Sequence, residues 1–158
     1  MRWLLLVLAV LASACSGGDD AAAAEAKYQK DLAAASQRAR EKLPYFWEHF
    51  DAPEAEEYDF SLKVAFPRRD GHEGVEEAWV ENIARSPEKL TGELMVDPKY
   101  LGSQREGAIM EFSDKQIVDW AFLQGEKLIG HYTTRVMLPR MPGDQAEGLR
   151  SMFGENPK

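Results

Sequence analysis

Residues 60–66 read FSLKVAF. Phe60, Leu62, Val64 and Phe66 alternate with Ser61, Lys63 and Ala65, a period of two that predicts a strand with one buried face. Arg69-Asp70-Gly71 follows as a turn, and its Asp-Gly pair suits a hairpin connection. Val75 to Ile83 (VEEAWVENI) predicts the return strand. The fold is therefore built around an antiparallel hairpin.

Working downstream, Leu90 to Val96 predicts a third strand, with a bulge expected at Gly92. Asp97-Pro98 breaks the pattern before a loop to Gly107, and Ala108, Met110 and Phe112 alternate again. Ser113 is placed to cap a short helical turn over residues 113–120 (SDKQIVDW), with Asp114 near its positive end. Trp120 to Leu123 and Leu128 to Thr133 predict two more strands, and Arg135 to Arg140 and Asp144 to Phe153 two short helices.

Upstream the period lengthens. From Ala22 the chain is rich in Ala, Glu, Lys, Gln and Arg, which are strong helix formers. Tyr28, Leu32, Ala35, Ala39 and Leu43 form a narrow apolar stripe at helical spacing, interrupted by Pro44. Phe46, Trp47 and Phe50 continue the stripe on a second short segment, in position to pack a helix on a sheet. Residues 51–58 (DAPEAEEY) read as a solvated loop; Glu54, Glu56, Glu57 and Asp59 are dense but lack calcium-loop spacing. The whole order predicts an α+β domain over residues 22–153. An N-terminal amphipathic helix packs on a mostly antiparallel sheet of about five to six strands, with short C-terminal helices and a frayed tail at 154–158.

The N-terminus carries an address. Arg2 precedes an apolar run from Trp3 to Ala12, too short to span a bilayer, and Ala12-Ser13-Ala14 leads directly to Cys15, the chain's one cysteine. The pattern resembles a bacterial lipobox, so residues 1–14 are expected to be a lipoprotein signal peptide and Cys15 the site of lipid attachment. Residues 15–21 are expected to be a flexible tether to the membrane. Ser16 after the cysteine favours the outer membrane, with the domain facing the periplasm. A single cysteine excludes an intrachain disulfide and a Cys-rich zinc site. The net charge of −8 disfavours nucleic acid as a partner.

The search for chemistry is mostly negative. The sequence holds no H-E-x-x-H, G-x-S-x-G, P-loop or dinucleotide fingerprint, and His49, His72 and His131 are not at metal-pair spacing. No catalytic residue, metal or cofactor is expected. Asp119-Trp120, Gly130, Tyr132-Thr133 and Arg135 concentrate an acid, two aromatics and a fork donor in one stretch. With Trp79 they make a candidate binding surface: Trp79, Asp119, Trp120, Tyr132 and Arg135. An Asp–Arg pair there would orient a bound carboxylate or close the domain.

The same blocks carry a family resemblance. AREKLPYFW at 39–47, FSLKVAF at 60–66, AWVENI at 78–83, Asp97-Pro98, Gly107 and IVDWAF…GHYTTR at 117–135 resemble, in order, the YegJ-like bacterial family of unknown function (DUF 2314). The resemblance runs from about Ala39 to Leu138 and implies an architecture without a reaction. The chain departs from the family at Ala121-Phe122, where Met-Tyr is frequent, and at Ala78, where a second aromatic is common. The expectation is an envelope-tethered, non-enzymatic binding module, with an envelope protein as a possible partner. Its alternatives are a hydrolase or lyase using Asp119 or Glu111 with Arg135 on an anionic substrate, and an acidic inhibitor or immunity-type protein that masks a basic partner.

Overall fold

A computed structural model describes residues 17–87 and 89–158. The expected signal peptide and Cys15 lie outside the described residues. Helix α1 spans Gly17–Glu41, so it takes in most of the stretch read as a tether. Asp19 and Asp20 sit in its first turn, where the helix end is positive, and an alanine run follows. Helix α2 spans Leu43–Asp51, with Pro44 in its first turn, where a missing N–H costs no helical bond.

Six strands follow: β1 Glu57–Pro67, β2 Val75–Arg85, β3 Leu90–Leu94, β4 Ile109–Phe112, β5 Ile117–Gln124 and β6 Lys127–Gly130. They form one open sheet in the order β4-β3-β2-β1-β5-β6, every neighbour antiparallel. Two short helices close the chain, α3 Tyr132–Met137 and α4 Gly143–Met152, joined by a 3-10 turn at Leu138–Arg140. The fold is α+β, with the N-terminal helices on one side of the sheet.

Side chains of Leu62, Val64, Val80, Trp120 and Phe122 meet Phe46 of α2 and Ala35 and Ala39 of α1, all fully buried. Each large one contributes roughly 1.5–3 kcal/mol by leaving water. The small residues at 35 and 39 let α1 lie close to the sheet, and the Trp120 indole N–H donates to the Ala39 carbonyl at 2.8 Å. That carbonyl belongs to the last turn of α1, where the i+4 partner is missing and only the Lys42 N–H, at 3.2 Å, shares it. The Ser36 hydroxyl donates to the Val118 carbonyl at 2.8 Å. It thereby satisfies the edge of β5 where β6 has already ended.

Three local expectations are corrected. The helical turn at 113–120 is confined to Asp114–Gln116, and Ile117–Trp120 belong to β5. Both faces of that strand are buried, which erases the alternation that would have marked it. Tyr132 and Thr133 open α3 rather than ending a strand, because Gly130 (φ 84) and His131 (φ 53) turn the chain. A Cβ on Gly130 would lie 2.2 Å from the Trp120 carbonyl oxygen, so only glycine fits. Gly92 pairs regularly with Met110; the bulge is on β2, at Asn82 (φ 48).

The tail at 154–158 is tied down, not frayed. Phe153 bridges to Leu128, and the Gly154 N–H donates to the Leu128 carbonyl at 2.9 Å. The Asn156 Oδ1 accepts from the Gly130 N–H at 2.9 Å. The outer edge of β6 is therefore occupied. β4 at the opposite end pairs only with β3 among the described residues and leaves Ile109 69% exposed.

Candidate functional site

Four of the five residues predicted to form a surface do come together, but as an internal joint. Asp119 is fully buried, and its carboxylate accepts four hydrogen bonds. They come from the backbone N–H of Trp120 (2.9 Å), Tyr132 (3.1 Å) and Thr133 (2.7 Å) and from the Thr133 hydroxyl (2.6 Å). Two of these donors are unpaired amides of the first turn of α3, so β5 supplies that helix with its cap from a distance. Burial pushes the Asp119 carboxyl above its ordinary value, and the Thr133 donors pull against it.

Trp120 is sealed between α1, Phe46 and Tyr132. Tyr132 is buried with its hydroxyl unpartnered, and burial followed by the nearby Asp119 charge drives its pKa up to about 12. Arg135 does not pair with Asp119. Its guanidinium donates to the carbonyls of Gly130 (3.0 Å) and Gly154 (2.9 Å) and to Asn156 Oδ1 (3.2 Å), and lies 4.2 Å from the Phe153 ring centre. The Nε and Nη2 side of the fork is thus taken up by β6 and the chain's own tail. Glu111, the other acid considered, is an exposed partner of Lys89 at 2.5 Å. Neither acid meets Arg135 in a cleft.

Trp79 is the exception. It lies on the sheet face turned away from α2, level with Lys63 in register, and walls a cavity of about 340 Å³. Ser61 and Ala121, opposed across β1 and β5, make a floor of small side chains. Met95, Val96, Leu123 and Leu128 form the apolar sides, and His131 and Asp59 stand at the polar ones. The His131 ring is 4.8 Å from Trp79 and hydrogen-bonds through Nδ1 to the Thr134 hydroxyl at 3.2 Å. Desolvation, then the nearby Arg135 and Lys63 charges, lower its pKa to about 4, so the imidazole is neutral near pH 7.

Two backbone features mark this hollow. Among the described residues the non-glycine ones with positive φ are Asp59 (φ 53), Asn82 (φ 48) and His131 (φ 53), and two of the three line it. Asp59 sits in a bulge, since the β1–β5 register slips between Tyr58 and Ser61. Strain of this kind collects at functional sites. Ser61, only 7% exposed, lines the same cavity. Asp59, Ser61 and His131 escaped the sequence reading. Ser61 read as an outward strand position, Asp59 as part of a solvated acidic cluster and His131 as a strand histidine without a metal partner, and only the register of three strands assembles them.

The remaining histidines sit elsewhere. His49 Nδ1 meets both oxygens of the Glu57 carboxylate, at 2.8 and 2.9 Å, and that carboxylate also accepts from the Glu54 N–H and from Gln124. Burial raises the Glu57 pKa, but these donors outweigh it and the net direction is down. The group pins the end of α2 to β1 and β5. His72 lies exposed in the β1–β2 turn. Among the described residues no three His, Cys, Asp or Glu side chains are grouped to hold a metal, and no helix is long and apolar enough to cross a membrane.

The chain is 25% identical over 154 residues to the uncharacterized protein YegJ of Escherichia coli (strain K12), covering 96% of this chain and 97% of that one. No solved structure matches. The model of a family described as uncharacterized protein conserved in bacteria (DUF2314) matches residues 29–155, and this chain belongs to that family.

Proposed function

We propose that the protein is a tethered binding module of the bacterial cell envelope, and that its ligand sits in the cavity that Trp79 and His131 line together. One coincidence carries the reading: two non-glycine residues held at positive φ, Asp59 and His131, and the Ser61 hydroxyl line the same apolar hollow. A mostly apolar pocket with a few convergent polar groups is the usual form of a small-molecule site. Asp59, Ser61 and His131 share the cavity without hydrogen bonds among themselves, which offers recognition groups rather than an activated nucleophile. The tether rests on the sequence. Cys15 after Ala12-Ser13-Ala14 supports a diacyl anchor, which suffices for stable attachment, and Ser16 supports the outer membrane.

The site is tested by titrating the purified protein with small-molecule extract of its host's envelope and following amide resonances. Shifts should centre on Trp79, Ser61 and Ala121 and vanish in a folded Trp79→Ala variant. A folded variant that responds as strongly as the parent would place the ligand elsewhere. Cys15→Ser should release the protein from membranes or leave the signal uncleaved; unchanged processing and membrane association would remove the anchor from the proposal.

A further inference from the structure

The cavity has an uncompensated charge at its mouth. Asp59 is exposed there and makes no ion pair among the described residues. Neither nearby cation pairs with it: Lys63 is bound to Glu77 at 2.6 Å, and Arg135 is held by the neutral carbonyls of Gly130 and Gly154 and by Asn156. The imidazole beside Trp79 carries no charge near neutrality, so it contributes no compensating cation. The Ser61 hydroxyl lines the same cavity as a second acceptor, and the π-face of Trp79 attracts cations.

We infer that the cavity binds a small amphiphilic amine: an apolar body among Trp79, Met95 and Leu128, with its ammonium group held by Asp59 and Ser61. The inference rests on the cavity being the ligand site and adds the charge and shape of what enters. An ammonium has three donors and no acceptor, which complements a carboxylate and a hydroxyl and would be poorly served by neutral walls alone. The acidic surface as a whole, net −8, favours cations at long range in the same sense.

The test compares three probes with one phenethyl body on the purified protein as processed in its host: phenethylamine, 2-phenylethanol and 3-phenylpropanoate. Resonances of Ser61, Trp79 and Ala121 report binding. The amine should bind about tenfold more tightly than the alcohol, and the acid most weakly, as one charge-assisted contact implies. Asp59→Asn keeps a residue that tolerates positive φ, so the fold is retained, and it should bring the amine's affinity down to that of the alcohol. Equal binding of amine and alcohol, preference for the acid, or an amine affinity unchanged by Asp59→Asn would overturn the inference and leave the cavity as a site. No response to any probe would overturn both.

Discussion

At the scale of single residues, the decisive one is Asp119. An acid in a conspicuous D-W pair invites a reading as a ligand-binding group, yet every oxygen it has is spent on the protein's own amides and a hydroxyl. Removing its charge turns an acceptor toward four donors. Asp119→Asn should therefore cost about 2–4 kcal/mol in urea unfolding, with the amides of Tyr132 and Thr133 losing exchange protection first. A change under about 0.5 kcal/mol would show that the cap is dispensable. The residue type was legible, whereas its role was not, because the donors arrive from a helix thirteen and fourteen positions later.

At the scale of elements, period was a sound guide wherever one face of an element meets water. β2 and the α1 stripe follow that rule, and the β1–β2 hairpin lies where the pattern put it although Ser61 and Lys63 on the second face of β1 are buried too. It failed at residues 117–120, buried on both sides. It failed again at the tail, whose order comes from Arg135 and β6 rather than from any propensity of its own. A chain ending at Met152 should lose about 2–4 kcal/mol, since four hydrogen bonds to Gly154 and Asn156 go with it. Hydrogen exchange should place the loss in β6 and α3; a truncated chain as stable as the parent would contradict the tie.

At the scale of the whole molecule, two groups make the fold sensitive to acid. Glu57 has a folded pKa below its ordinary 4.5, so its contribution is whole above that value and disappears as pH falls through the folded one. His131 must stay neutral in the fold. With a folded pKa of about 4 against 6.5, its contribution is whole above pH 6.5 and is lost progressively down to about pH 4. Asp119, shifted upward, has the opposite sign, its folded form preferring the proton. His131→Asn, which keeps a residue suited to positive φ, should flatten the stability profile between pH 6.5 and 4 by on the order of 2 kcal/mol. An unchanged slope would show that the imidazole protonates freely. The binding hollow belongs to this scale too, because it exists only once β1, β2, β5 and β6 are in register, and no local pattern announces that. Finally, among the described residues the sheet is closed along β6 by its own tail and open along β4, which gives the molecule a direction. Two copies joined β4 to β4 would have used their free edges on each other, so strand pairing of this kind ends at a twofold pair and has no second end from which a fibre could grow.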